Sequence, residues 1–365
     1  MAVALLALGA GAWLALRPAP SSGPPTAPAT SAPTVAAAPR QRTLPQPSAP
    51  IPGYLLIADR GNNRMLLVDG RKQILWRYPT AGRRPSFPFR YDDDAFFTPG
   101  WGGIVSNQED QQTIERISFP AGRVQWTYGH PNAAGSTAGY LNTPDDAYVL
   151  PDGTTSVAVV TNCRVLYISP AHRIVHQLGT TGVCAHDPPR TFAAPNGDTP
   201  LPGGGVLVTE ITGSWIDAIG PSRKLMWSVH APVGYPSDAQ PLPGGRILLA
   251  DYSSPGHVLI MARSGKVLWR YGPASGPGSL DHPSLALRLP NGLIAANDDY
   301  NHRVVLIDQR TGRIVWQYGH DHSAGTGHDY LNTPDGMDFL PYRVAESHPA
   351  IAAALGRSRA RPVHG

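Results

Sequence analysis

An all-β fold assembled from repeated four-stranded units is predicted by three observations. The segments QILWRYP, RVQWTYGH, KLMWSVH, KVLWRYGP and RIVWQYGH set Trp76, Trp126, Trp227, Trp269 and Trp316 in one apolar-polar alternation, and His176 in RIVHQLG takes the remaining place. Successive spacings are 50, 50, 51, 42 and 47 residues, inside the range of roughly 40–50 residues for a propeller blade. The 39 Gly and 39 Pro of this 365-residue chain, with only 15% charged residues, suit a turn-rich body and exclude a helical bundle or a charged disordered chain.

Each unit reads as four short strands. In the fifth these are DAQPLP, a GG turn, RILLAD, the loop YSSPGH, VLIMA, an RSG turn and KVLWRYG. Apolar and β-branched residues at period two, broken by Gly-containing turns, are strand and hairpin signals. The first unit starts directly at YLLIADRGNNRMLLVDG and lacks an inner strand, while LNTPDGMDFLP near the other end is an inner strand with no blade behind it. Residues 332–341 are therefore expected to return and complete the first blade, which closes the ring and leaves no inner edge unpaired. The expectation is a six-bladed β-propeller over residues 51–342, its C-terminal strand closing the first blade, in a monomeric protein.

The flanks differ in composition. Residues 1–16, MAVALLALGAGAWLAL, suit a signal-peptide core or a short membrane anchor, although no basic residue precedes the apolar run. Residues 17–50 are a Pro/Ala/Ser/Thr-rich stretch that reads as a disordered tether. Residues 343–365 are a basic tail with a short helix expected around Ala350–Leu355. The formal charge of +4 belongs to these ends: 51–342 holds 23 bases and 25 acids, which disfavours nucleic acid as a partner. Export is expected, secreted or held at a membrane by the N-terminal segment.

Three resemblances follow from particular residues. IADRGNNRMLLVD (57–69) and AANDDYNHRVVLID (295–308) resemble the NHL repeat, with its D-x-x-N-x-R core. IDQRTGRIVW (307–316) is similar to the tryptophan-docking repeat of quinoprotein propellers. More weakly, PSDAQPLPGGRILLAD (236–251) looks like the inner strand of arylsulfotransferase propellers. These resemblances imply the fold, and function only loosely, because the architecture hosts many chemistries. Quinoprotein dehydrogenases carry eight blades and an adjacent cysteine pair; Cys163 and Cys184 are not adjacent, so bound pyrroloquinoline quinone is not expected. The histidine of the sulfotransferase strand is replaced by Ser237 before Asp238 and by Asp145 before Asp146, which weakens that activity as an alternative.

Propeller geometry places the b–c loops and the inter-blade loops on one face, where nine of the 13 histidines fall. GHDHSAGTGHDYLN (319–332) is the richest stretch, and His320, His322 and His328 are candidate ligands for zinc. The same histidines also suit a solvated, Gly-rich loop, which is the commoner setting for such residues. Asp94, Asp146, Asp238 and Asp335, with Asp198 nearby, begin the inner strands and are expected at the channel mouth. There they would hold calcium, bind a cationic ligand group, or cap strand turns. The repeating Trp reads as packing between sheets, and Trp101 and Trp215 stand out of register. Cys163 and Cys184 fall on the same face and are expected to form a disulfide, a free thiolate being the other reading.

Two classes of function remain. One is an extracytoplasmic binding or scaffold propeller that presents its His- and Asp-rich face to a protein, a glycan or a small ligand. The other is an enzyme at the channel mouth, a metal-assisted lyase or hydrolase or an arylsulfotransferase-like transferase. No nucleophile elbow or nucleotide loop supports the second.

Overall fold

A computed structural model describes residues 50–360; the expectations for residues 1–16 and, Pro50 apart, 17–50 lie outside them. Twenty-four strands form six antiparallel four-stranded sheets. Blade 1 contains β1 (Gly53–Asp59), β2 (Arg64–Asp69) and β3 (Ile74–Tyr78). Blade 2 follows with β4 (Asp92–Phe97), β5 (Gly103–Gln108), β6 (Thr113–Ser118) and β7 (Val124–Gly129). Blade 3 is β8 (Pro144–Val149), β9 (Thr155–Val159), β10 (Arg164–Ile168) and β11 (Ile174–Leu178). Blade 4 is β12 (Pro195–Pro200), β13 (Val206–Glu210), β14 (Trp215–Ile219) and β15 (Leu225–His230). Blade 5 is β16 (Pro236–Leu242), β17 (Arg246–Asp251), β18 (His257–Ala262) and β19 (Val267–Tyr271). Blade 6 is β20 (Ala286–Arg288), β21 (Ile294–Asp298), β22 (Arg303–Asp308) and β23 (Arg313–Gly319). The last strand, β24 (Pro334–Pro341), returns to blade 1 and gives it the order β24-β1-β2-β3.

That return is the expected closure: β24 runs antiparallel to β1, with Gly53 opposite Pro341, Tyr54 opposite Leu340 and Asp59 opposite Pro334. The ring therefore has no free inner edge. Middle strands are buried on both faces, as the wholly buried β1, β2, β9, β13 and β21 show, and their Leu, Ile and Val side chains pack between neighbouring sheets.

The outer-strand tryptophans stitch the blades together. Indole Nε1 of Trp76 donates to the Pro120 carbonyl at 2.9 Å, Trp126 to Pro170 at 3.2 Å, Trp269 to Gln309 at 3.1 Å and Trp316 to Gly70 at 3.1 Å. Every acceptor lies in the c–d turn of the next blade, so each ring fills a seam while its polar edge finds a carbonyl. Trp227 is covered instead by the Arg263 guanidinium, 5.4 Å from its ring. Trp101 packs on Phe97 at 5.5 Å.

After β24 the chain forms α1 (Tyr342–Ser347) and α2 (Pro349–Ala360), a longer helix than the sequence suggested. Ala345, Ile351 and Leu355 bury themselves in the same apolar cluster as Tyr54 and Leu340 of the closing strands. The tail thus continues the core. Cys163 and Cys184 form the expected disulfide, with Cα atoms 5.2 Å apart. No helix among the described residues is long and apolar enough to cross a membrane.

Candidate functional site: an acidic funnel at the channel mouth

The inner strands meet the channel through a repeated irregularity. In blades 1 to 5 the ladder between the two innermost strands slips near its channel-mouth end: between Ile57 and Asp59, Asp92 and Ala95, Asp145 and Ala147, Pro195 and Gly197, and Pro236 and Ala239. A bulge turns consecutive side chains toward one side of a strand. The result is two stacked rings. Asp93, Asp145, Asn196, Ser237, Ser284 and Asp335 occupy one position, and Asp94, Asp146 and Asp238 the next, lining with Arg60 and Glu109 a funnel of about 320 Å³.

All four aspartates expected there line it, but not in one register: Asp335 follows Pro334 directly and belongs with Asp93 and Asp145, whereas Asp146 and Asp238 stand two after Pro144 and Pro236. Asp198 is fully buried beneath, where burial raises its carboxyl well above the ordinary range against hydrogen bonds from Ser156 and the Ala158 main chain. Asp94 lies so close to β24 that a Cβ on Gly336 would stand 2.4 Å from its Oδ1; only glycine fits opposite it.

One cation serves this ring. Arg60, in the b–c turn of blade 1, donates to Asp93, to Asp335 at 2.7 Å, to Glu109 at 2.7 Å and to Asp110 at 3.1 Å. Burial alone would weaken its charge, but Asp93, Asp335 and Glu109 outweigh that and hold it protonated. The remaining carboxyls are short of donors. Burial first, then Asp335 and Asp238, push Asp94 up to about 8. Asp145 and Asp146 are raised well above the ordinary range by burial and by one another's neighbours. Burial also raises Asp238, to about 6, against hydrogen bonds from Gln240 and Thr199 at 3.0 Å each.

The far wall is aromatic. Tyr235 and Tyr252 of blade 5 meet edge to face at 5.1 Å, and Tyr300 of blade 6 stands 6.3 Å from Tyr252. His282 tilts against Tyr300 at 4.4 Å and pairs with Asp281 at 2.6 Å. A larger, more apolar groove of about 660 Å³ opens on the opposite face beside Tyr167, His176 and Pro202, but it gathers no comparable set of charges.

The histidines of the last inter-blade loop do not meet. His320 pairs with Asp329 at 2.9 Å and stacks on Tyr330, His322 pairs with Asp321 at 2.8 Å, and His328 is exposed. Among the described residues, metal-ligating side chains converge in two other places: Asp93, Asp94 and Asp145 in the funnel, and His186, Glu210 and Asp217 in blade 4. Arg60, Glu109 and the three tyrosines escaped the sequence reading. The offset of Asp335 from its proline was the available signal for the first ring; nothing in the chain's linear order points to Arg60.

No protein-family model and no curated protein matches the chain. Solved structures do. A protein of unknown function from Bacteroides caccae superposes with a TM-score of 0.55 at 20% identity, covering 78% of this chain and 98% of that one. A chain of a nidogen/laminin complex gives 0.52 at 12% identity, covering 78% and 97%. Virginiamycin B lyase from Staphylococcus aureus gives 0.44 at 16%, covering 61% and 68%. The first two likenesses show the propeller fold alone.

Proposed function

We propose that this chain is an extracytoplasmic binding propeller whose funnel receives a small ligand bearing an amine or guanidine group. The observation that carries the reading is the charge imbalance: seven of the funnel's fifteen lining residues are acidic and Arg60 is their one fixed cation. A cationic ligand entering there would relieve carboxyls that burial has forced toward their neutral forms. The tyrosine wall would take the ligand's apolar or ring-bearing part, and an ammonium group gains further from an aromatic face. The disulfide suits an oxidising compartment. A second reading, a calcium ion, is favoured by the oxygens of Asp93, Asp94 and Asp145 lying within 4.8 Å of one another.

Calorimetry and thermal shift with a matched pair, an aryl-alkyl amine and the corresponding alcohol, test the first reading, with Ca²⁺ as a separate arm. The amine should bind and raise the melting temperature while the alcohol does neither. Asp94→Asn and Asp146→Asn should each weaken the amine by about ten-fold or more, the scale of a lost hydrogen-bonded charge. Equal responses to amine and alcohol, or full affinity in both variants, would sink the reading; binding of Ca²⁺ alone would replace it with the second.

A further inference from the structure

Away from the funnel, on the two middle strands of blade 4, two carboxylates are buried without a fixed cation. Glu210 closes β13 and Asp217 lies in β14, and both are fully buried. In blades 1 and 6 the residue corresponding to Glu210 is an aspartate neutralised by the arginine that opens the next strand. Blade 4 has Trp215 in that arginine's place. The position of Asp217 is Leu66, Leu166, Leu259 and Val305 in blades 1, 3, 5 and 6, all core residues. Blade 2 has Glu115 there, with the Tyr78 hydroxyl 3.5 Å away. Asp217 has the Glu210 carboxyl and the Ser228 hydroxyl for hydrogen-bonding neighbours, and among the described residues no arginine or lysine pairs with it.

One imidazole faces this pair. His186 Nδ1 lies 2.9 Å from Glu210 Oε1 and 3.9 Å from Asp217 Oδ2. Those separations bracket the edge of about 3.3 Å that a tetrahedral ion makes between ligands at roughly 2.0 Å. The other nitrogen, Nε2, sits 3.4 Å from Ser228 Oγ, the orienting contact that a metal-bound histidine usually makes. Two further holders fix the imidazole: it stacks flat on Trp215 at 4.1 Å, and it follows by two residues Cys184, whose disulfide pins the loop to Cys163. The main-chain N–H of Ala193 donates to the other Glu210 oxygen and orients that carboxylate.

We propose that His186, Glu210 and Asp217 form a Zn²⁺ site at the seam of blades 3 and 4. One nitrogen and two carboxylate ligands with an open fourth position suit zinc. The ion would supply the positive charge that arginine supplies in blades 1 and 6.

The full chain, stripped with a chelator and titrated with Zn²⁺ alone, should take up one equivalent by calorimetry and retain it through gel filtration by elemental analysis. His186→Ala should weaken binding about 100-fold or more and Ser228→Ala about ten-fold, whereas Asp94→Asn in the funnel should leave this equivalent unchanged. A second readout guards against misfolded ligand variants: in the unaltered protein Co²⁺ should quench tryptophan fluorescence, and the conservative Trp215→Phe should remove the quenched component. Retention of no zinc overturns the proposal. So does an equivalent that survives His186→Ala or disappears with Asp94→Asn, or quenching that ignores Trp215.

Discussion

The b–c turns of blades 1, 6 and 4 share a backbone and differ in charge. Each passes through a left-handed residue just before the third strand: Asn63 at φ 52°, His302 at φ 56° and Ser214 at φ 55°. In blades 1 and 6 the turn supplies both partners of a buried ion pair, Asp59 with Arg64 at 2.6 Å and Asp298 with Arg303 at 2.7 Å. The arginines also reach into the preceding inter-blade loop, Arg64 to the carbonyls of Thr326 and Tyr330 and Arg303 to that of Ser279. In blade 4 the direction is reversed: the loop sends His186 into the turn, and Glu210 receives it. A repeated backbone thus offers the same buried slot with two ways of filling it. A guanidinium makes the slot a permanent latch; without one, the slot keeps anionic groups available to something from outside.

The largest effect should come from opening a latch. Arg303 is 2% exposed and Asp298 wholly buried, so Arg303→Ala strands a buried carboxylate and the carbonyls of Pro277 and Ser279. Losing one partner of such a pair costs about 3–5 kcal/mol, read as a lowered midpoint in urea. Burial already raises the Asp298 carboxyl against the opposing influence of Arg303, and removing the arginine takes that opposition away. If Arg303→Ala unfolds at the unaltered midpoint, the latch is decoration and the contrast with blade 4 loses its energetic basis.

The linear sequence displays this contrast unevenly. The segments that carry the latches were visible as the repeated D-x-x-N-x-R pattern, although not as ion pairs, and the closure by 332–341 was visible because the first unit lacked a strand. The spacing of the tryptophans likewise gave the seams. Sites assembled across blades were hidden. Arg60 meets Asp335 from 275 residues away, and His186 meets Glu210 and Asp217 from two strands of the next blade. The histidines that do cluster in the chain, His320, His322 and His328, are spent on neighbours such as Asp329 and Asp321 or on solvent: within one loop each side chain finds its partner locally. Nearness in sequence predicted the hairpins well and the convergence of ligands poorly.

A substitution of intermediate size sharpens the comparison from the other side. Asp217→Leu gives blade 4 the residue that blades 1, 3 and 5 carry at that position, removing a buried carboxyl that burial and the adjacent Glu210 push up to about 8. Burying a polar group without full compensation costs about 1–3 kcal/mol, a cost that an apolar side chain of similar size does not carry. In chelator-treated protein the urea midpoint should therefore rise. A fall would mean that the hydrogen bonds of Asp217 with Ser228 and Glu210 already outweigh the cost of its burial.

The smallest effect is a slope. Asp94 and Asp238 of the funnel titrate near 8 and 6 when folded and near 3.8 when unfolded. Both folded values are raised, so between those limits the native state binds more protons than the unfolded chain. Their contribution is complete below about pH 4 and is lost as pH climbs through 6 and then 8. A latched carboxylate such as Asp298, whose arginine opposes the upward push of burial, should contribute less to this decline. With chelator present, unfolding free energy should fall across pH 6–8, and Asp94→Asn should flatten it by up to about 1.4 kcal/mol per pH unit, one proton's worth of linkage. An amine bound in the funnel should flatten the same segment by favouring the ionised carboxylates. A slope indifferent to Asp94→Asn would place the proton uptake elsewhere in the ring, on Asp145 and Asp146, which burial and neighbouring carboxylates also raise.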